Sequence, residues 1–273
     1  MKTALEILRL ATSYLNEKGI ERGRLLAEEL LAQTLRCKRL DLYLGFDKPI
    51  EEKELTAFRE KLKRCAKGEP LQYVLGEVMF YGARIQVDPR VLIPRSETEL
   101  LVDLIAKKVS SGKVLDLCTG SGCIAIALKK KVPALEMIAS DLSKEALQLA
   151  SHNATINQVD ISFLQGDLVE PFLGKKADVV ICNPPYIREG EFFSLEPSVR
   201  NFEPKIALIG GKRGIEFYER LAKDLPSILA PFAKIFFEIG AGQGEAVKQI
   251  FGGKGTIEKD FAGHDRFFFL EIQ

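Results

Sequence analysis

Neither sign of charge is in excess in this chain: 39 Lys and Arg stand against 38 Asp and Glu over 273 residues, a net charge of +1. Proteins that grip a nucleic-acid backbone regardless of sequence carry a marked basic surplus, so no stable nucleic-acid partner is expected. Long apolar runs are missing too. Nothing approaches the roughly 18 uninterrupted apolar residues a membrane helix requires, and no membrane association is expected. Histidine is scarce, with only His152 and His264, neither at ligand spacing. Cys118, Cys123 and Cys182 are therefore read as core thiols, and no metal is expected. With Cys37 and Cys65 the cysteines number five, an odd count without disulfide-framework spacing. The opening MKTALEILRLATSYLNEKG reads as an amphipathic helix rather than a signal peptide, so a cytoplasmic location with reduced thiols is expected. A monomer is the expected state.

The residues present are those of a globular protein, 46% hydrophobic and 28% charged, which excludes wholesale disorder. Residues 1–67 read as helical: Leu5, Leu8, Ala11 and Leu15 recur at helical spacing, as do Leu26, Leu30 and the stretch 32–35, and later Leu55, Phe58, Leu62 and Cys65. Residues 1–84 carry 16 Lys and Arg against 13 Asp and Glu, an excess of three that is read as solvated helix faces. Gly68-Glu69-Pro70 breaks the helical pattern, and 79–87 looks like a short hairpin. Beyond Pro94, strands predicted at 113–117, 135–140, 161–165, 177–182 and 234–238 alternate with helices at 97–108, 123–130, 144–156 and 214–224. That alternation implies a mostly parallel sheet. The stretch 266–272 is expected to add an antiparallel edge strand.

Val114-Leu115-Asp116-Leu117-Cys118-Thr119-Gly120-Ser121-Gly122 is a buried strand entering a glycine turn and then a helix. Glycines at 120 and 122 let a ligand approach the backbone, beside the free N–H groups of a helix start. Asp141, 19 residues after Gly122, can bind both hydroxyls of a ribose. The turn alone does not separate a nicotinamide cofactor from another adenosine-containing one. Asp116 shifts the balance, because a carboxylate at an apolar strand end suits a cationic cofactor. S-adenosylmethionine carries an ammonium and a sulfonium, and acid-x-x-x-Gly-x-Gly is the loop of class I methyltransferases. Asp167 closes the next strand, where such a fold holds the adenine.

Asn183-Pro184-Pro185-Tyr186 ends the fourth strand. Two prolines fix two φ angles and remove two donors, and Asn183 is biased to an extended backbone by the proline that follows. An amide or exocyclic amine is a poor nucleophile because its nitrogen lone pair is delocalised. Accepting its hydrogens on the Asn183 side-chain oxygen and the Pro184 carbonyl draws the nitrogen toward a tetrahedral geometry and aims its lone pair. Tyr186 can stack on the flat target.

These residues make the chain similar to the HemK/PrmC family, the protein-(glutamine N5) methyltransferases of peptide chain release factors. The resemblance covers nearly the whole chain, through Glu69–Gly76, Phe80–Gly82, Val91–Glu99, the glycine loop, Asn183–Ile187, Glu203-Pro204, Ala207-Leu208 and Glu238–Gly240 with Gln243-Gly244. It implies an α/β class I S-adenosylmethionine-dependent methyltransferase fold, a seven-stranded doubly wound sheet, with a helical N-terminal substrate-recognition domain (1–77), a hairpin linker (78–90) and a methyltransferase domain (91–273). The implied substrate is the glutamine of the Gly-Gly-Gln loop in class 1 release factors. Implied cofactor residues are Asp116, Cys118, Thr119, Gly120, Ser121, Gly122, Asp141, Leu142, Asp167, Leu168 and Asn183. Asn183, Pro184 and Tyr186 are the implied catalytic residues, with Pro185 and Arg95 joining them on the substrate side. Family members generally have glycine in place of Cys118 and proline in place of Ser96; Cys118 is expected to fit with a negative φ. The competing readings are a glutamine methyltransferase of a ribosomal large-subunit protein, a nucleic-acid adenine-N6 or guanine-N2 methyltransferase, a nicotinamide oxidoreductase, and a non-catalytic adenosine-cofactor binder.

Overall fold

The computed structural model describes residues 2–273. They divide into two bodies, residues 2–76 with 197–202, and residues 77–196 with 203–273.

The first body is helical: α1 (Ala4–Glu17), α2 (Gly23–Thr34), α3 (Arg39–Tyr43), α4 (Glu52–Ala66) and α5 (Leu71–Leu75). Its first helix starts on a reciprocal cap, in which Thr3 Oγ1 accepts the Glu6 amide hydrogen at 3.3 Å and the Glu6 carboxylate accepts that of Thr3 at 2.8 Å. Ala4, Ile7, Leu8, Ala11 and Leu15 form one face of α1, in one core with Leu30 and Leu31 of α2 and Leu55, Phe58 and Leu62 of α4. Burying each large apolar side chain of that set contributes about 1.5–3 kcal/mol.

The second body opens with a hairpin, β1 (Glu77–Phe80) and β2 (Ala83–Gln86). There follow α6 (Ser96–Lys108), β3 (Gly112–Leu117), α7 (Cys123–Lys131), β4 (Leu135–Asp141), α8 (Lys144–Ile156), β5 (Ser162–Gln165), β6 (Ala177–Cys182) and β7 (Ile187–Arg188). After α9 (Pro197–Phe202), which belongs to the first body, come β8 (Ile209–Gly211), α10 (Glu216–Asp224), β9 (Leu229–Glu238), α11 (Gly244–Ile250), β10 (Thr256–Lys259) and β11 (Asp265–Glu271). The expected seven-stranded, mostly parallel sheet is present, in the order β10-β11-β9-β6-β3-β4-β5. Strands β5, β4, β3, β6 and β9 run parallel, and β11 is antiparallel to both its neighbours.

The C-terminal strand is antiparallel as expected, but it is not the edge: β11 lies between β9 and β10. Phe267 and Phe268 are fully buried and Phe269 nearly so. Successive side chains point to opposite faces, so β11 is covered on both, and short β10 takes the edge.

The hairpin is bonded to the sheet domain through Asn153 of α8. That carboxamide accepts the Gln86 amide hydrogen at 2.8 Å and donates to the Gln86 carbonyl at 3.0 Å and the Ser121 carbonyl at 2.9 Å. One buried asparagine thus bridges the hairpin and the glycine loop.

Candidate active site

The sheet order reverses beside β3: its neighbours β4 and β6 lead the chain in opposite directions. Crevices at the carboxyl ends of such strands are where α/β sheets hold ligands, and the sequence-predicted residues collect there. The turn from β3 into α7 uses three left-handed residues, Cys118 (φ 56°), Gly120 (φ 54°) and Gly122 (φ 80°). The negative φ expected of Cys118 is therefore corrected. The chain has to reverse between residues 118 and 122, and Cys118 adopts a conformation that costs a residue with a Cβ roughly 1–2 kcal/mol. The loop is pinned by the strand ends. The Thr119 amide donates to the Ser140 carbonyl at 2.9 Å, and the Gly120 amide donates to Asp141 Oδ2 at 2.8 Å. Asp141 Oδ1 also accepts the Ser143 amide hydrogen at 2.9 Å.

Asp116 has no exposure to solvent. One of its oxygens accepts the Thr119 hydroxyl hydrogen at 2.6 Å, while Oδ1 has no hydrogen-bond partner among the described residues. Burial pushes its carboxyl up to about 7, against the Thr119 hydrogen bond and with the Asp141 charge adding. A buried carboxyl with an unpartnered oxygen costs stability, and a cation nearby would offset that cost.

A cleft opens above this loop. Of the sequence-predicted residues, Arg95, Cys118, Thr119, Gly120, Ser121, Asp141, Leu142, Asp167, Leu168, Asn183 and Pro185 line it; Asp116, Gly122, Pro184 and Tyr186 do not. Gly122 instead caps α7, where an added Cβ would stand 3.1 Å from that of Ala150. The Asp167 carboxylate is half exposed and held by Arg220 at 2.6 Å. Arg95 is bound at 2.5 Å by Glu203, whose other oxygen accepts the Ile93 amide hydrogen at 3.1 Å. A buried acid thereby fixes the 93–95 segment at the rim.

Pro184 and Pro185 are buried and Asn183 is half-buried. The main chain of this loop is packed against glycine: a Cβ at Gly210 would lie 2.4 Å from the Pro185 carbonyl oxygen, and one at Gly214 2.4 Å from that of Tyr186. Tyr186 packs on the core of the second body, and burial pushes its phenol up to about 12. Cys182, just before Asn183, is fully buried; burial and a hydrogen bond with the Cys118 thiol raise its own thiol well above the ordinary value.

Three residues around this loop, which fall only within family-like stretches of the sequence, were given no role by it. Gln243 donates to the carbonyls of Tyr186 (2.9 Å) and Gly214 (3.0 Å) and accepts the Gly240 amide hydrogen at 2.9 Å. Thr98 lines the cleft and donates to the buried Glu238 carboxylate at 2.7 Å. The signal for Glu238 was the one that marked Asp116, an acid closing an apolar strand.

Residues 6–76 match the PrmC N-terminal domain model and residues 96–196 the methyltransferase small domain model. The release factor glutamine methyltransferase of Chlamydia trachomatis is 41% identical over 276 residues, covering 98% of this chain and 94% of the relative. That of Bacillus subtilis is 41% identical over 280 residues, covering 97% and 96%. The chain belongs to the release factor glutamine methyltransferase family. Among solved structures, a methyltransferase from Pyrococcus furiosus is similar with a TM-score of 0.53 at 18% identity, over 69% of this chain and 89% of that one. A 16S rRNA methyltransferase of T. thermophilus, in complex with AdoMet and guanosine, gives 0.51 at 15% identity, over 72% and 50%. Those two likenesses carry the fold: the second body is a class I methyltransferase sheet.

Proposed function

We propose that this protein methylates the side-chain amide nitrogen (N5) of the glutamine in the Gly-Gly-Gln motif of class 1 peptide chain release factors, using S-adenosylmethionine. The observation that carries the reading is a shared cleft: Asn183, ahead of two prolines, opens onto the same cavity as the glycine loop. The donor set fits the cofactor. Asp141 has lone-pair capacity left for a ribose diol beside its backbone bonds, Asp167 and Leu168 flank the adenine end, and among the described residues nothing lies within 4 Å of where a Cβ on Gly120 would be. The unpartnered oxygen of Asp116 favours a positively charged neighbour. Bound there, S-adenosylmethionine supplies an electrophilic methyl group.

The protein's task is then to prepare a weak nucleophile. Asn183 Oδ1 and the Pro184 carbonyl accept the two hydrogens of the glutamine amide, which localises the nitrogen lone pair and turns it to the cleft. No strong base is required: the amide proton becomes acidic only as the nitrogen gains its methyl and is then lost to water, and the cofactor product is S-adenosylhomocysteine. Tyr186, packed on the core, anchors the loop that carries Asn183. The test is mass spectrometry of purified release factor after incubation with the protein and labelled cofactor. A gain of one methyl on the Gly-Gly-Gln glutamine is the expected result. Labelling instead of a ribosomal large-subunit protein or of DNA would overturn the substrate assignment.

A further inference from the structure

Strand pairing puts Glu238 beside the candidate catalytic loop. Cys182 of β6 is paired with Phe237 of β9, so the residues that follow, Asn183 and Glu238, stand side by side at the ends of the two strands. Glu238 is 2% exposed, takes the Thr98 hydroxyl hydrogen at 2.7 Å, and has the Asn183 side chain as a neighbour that favours its ionised form. A carboxamide is nearly symmetric in shape but not in hydrogen bonding: one end donates and the other accepts. A carboxylate carries no hydrogen, so only the donor end of Asn183 can face it.

We propose that Glu238 is a positioning residue that orients the Asn183 carboxamide, accepting the Nδ2 hydrogen so that Oδ1 is the atom turned to the glutamine amide. The assignment rests on amide methylation at Asn183. It explains why an expensive buried acid stands at this strand end: without an ionised acceptor there, nothing holds the carboxamide against the flipped orientation, in which its N–H₂ faces the substrate's own donors.

The groups around Glu238 set when it is ionised. Burial pushes its carboxyl up to about 7; the Thr98 hydrogen bond, the Arg266 charge on β11 and the Asn183 side chain oppose this, and Glu97 on α6 adds to it. Tyr186 and Cys123 of α7 also feel its charge, and Tyr218 of α10 donates to its main-chain carbonyl at 2.9 Å. Below the midpoint the carboxyl gains a hydrogen that donates to Asn183 Oδ1, and the orienting constraint is lost. Turnover saturated in both substrates should therefore fall as the pH drops, by about tenfold from pH 8 to pH 6 for one proton titrating near 7.

The experiment compares wild type with Glu238→Gln, which keeps the shape. The variant should lose the acid limb and turn over at least about tenfold more slowly at pH 8, with both KM values within about threefold. Separately, the ¹⁵N signal of the Asn183 side chain, identified by its loss in Asn183→Asp, should shift through pH 7 in the protein alone and stay fixed in Glu238→Gln. A variant that keeps the acid limb, or turns over within twofold of wild type at pH 8, overturns the proposal. So does a wild-type Asn183 signal that does not titrate, which decides the matter even if the variant fails to fold. A titrating signal in a protein that never methylates glutamine would leave the orientation standing and remove the substrate reading.

Discussion

Asp141, the last residue of β4, holds the amide of Gly120 at 2.8 Å. One carboxylate thus shapes the glycine loop while facing the cleft, and its loss should be felt in cofactor binding first. Charge-assisted bonds of this kind contribute roughly 1.5–3 kcal/mol each. Asp141→Ala should weaken S-adenosylmethionine binding by about 10- to 100-fold in a calorimetric titration. An unchanged dissociation constant would remove Asp141 from the cofactor site.

Asn183→Ala separates binding from chemistry. The bond from the target amide to Oδ1 strengthens as positive charge develops on nitrogen, so its loss should slow turnover more than binding. Single-turnover methyl transfer should drop about 10²–10³-fold, with S-adenosylmethionine affinity within a few-fold of wild type. A rate within threefold of wild type, with both substrates saturating, would sink the role given to this side chain.

Stability should decline from about pH 4.5 to neutral pH. Asp116 and Glu238 are both raised to about 7 by burial, so between about pH 4.5 and 7 the folded chain binds more protons than the unfolded one. Stability from these groups is then lost as pH rises, at up to about 1.4 kcal/mol per pH unit for each. At the acid end the sign reverses: Asp103, held low by Lys107 and Tyr81, and Asp88, held low by Arg90, stabilise above their unfolded values and cease to do so when protonated. Thermal unfolding of the ligand-free protein should peak at about pH 4–5, and Asp116→Asn should flatten the decline above it. A melting temperature that rises steadily to pH 8 would contradict the buried-carboxyl account.

Cys118 offers a test of backbone strain. At φ 56° a Cβ is unfavourable, so Cys118→Gly should be more stable than Cys118→Ala by about 1 kcal/mol, the reverse of the usual ranking of glycine and alanine. Denaturant midpoints of the two variants decide it; an alanine variant at least as stable as the glycine one would show the loop to be unstrained.

The parts of this molecule that repeat a pattern were readable from residues alone. Apolar strand runs, the glycine turn after Asp116, and Asn183 at a strand end each announce themselves within a few neighbouring positions. What could not be read depends on distance in sequence. Thr98 and Glu238 are 140 residues apart, and nothing local tells that they share a hydrogen bond. The left-handed φ of Cys118 was hidden because a residue with a Cβ is the wrong one to suggest it. Strand β10 is four residues long, with exposed ends and a half-buried middle pair, too short for alternation to register. The inner position of β11 did leave a signal, the run Phe267-Phe268-Phe269, since an edge strand has little cause to bury three successive aromatics.

The glycines at 210 and 214, pressed against the Pro185 and Tyr186 carbonyls, bear on how this catalytic loop can evolve. They contribute no side chain, yet any replacement collides with main chain that cannot step aside. In a saturation scan they should rank among the least tolerant positions while lying outside the chemistry. A lineage seeking a new nucleophile would therefore exchange the side chain at 183 within a fixed frame, because reshaping the frame would demand simultaneous change on both sides of it.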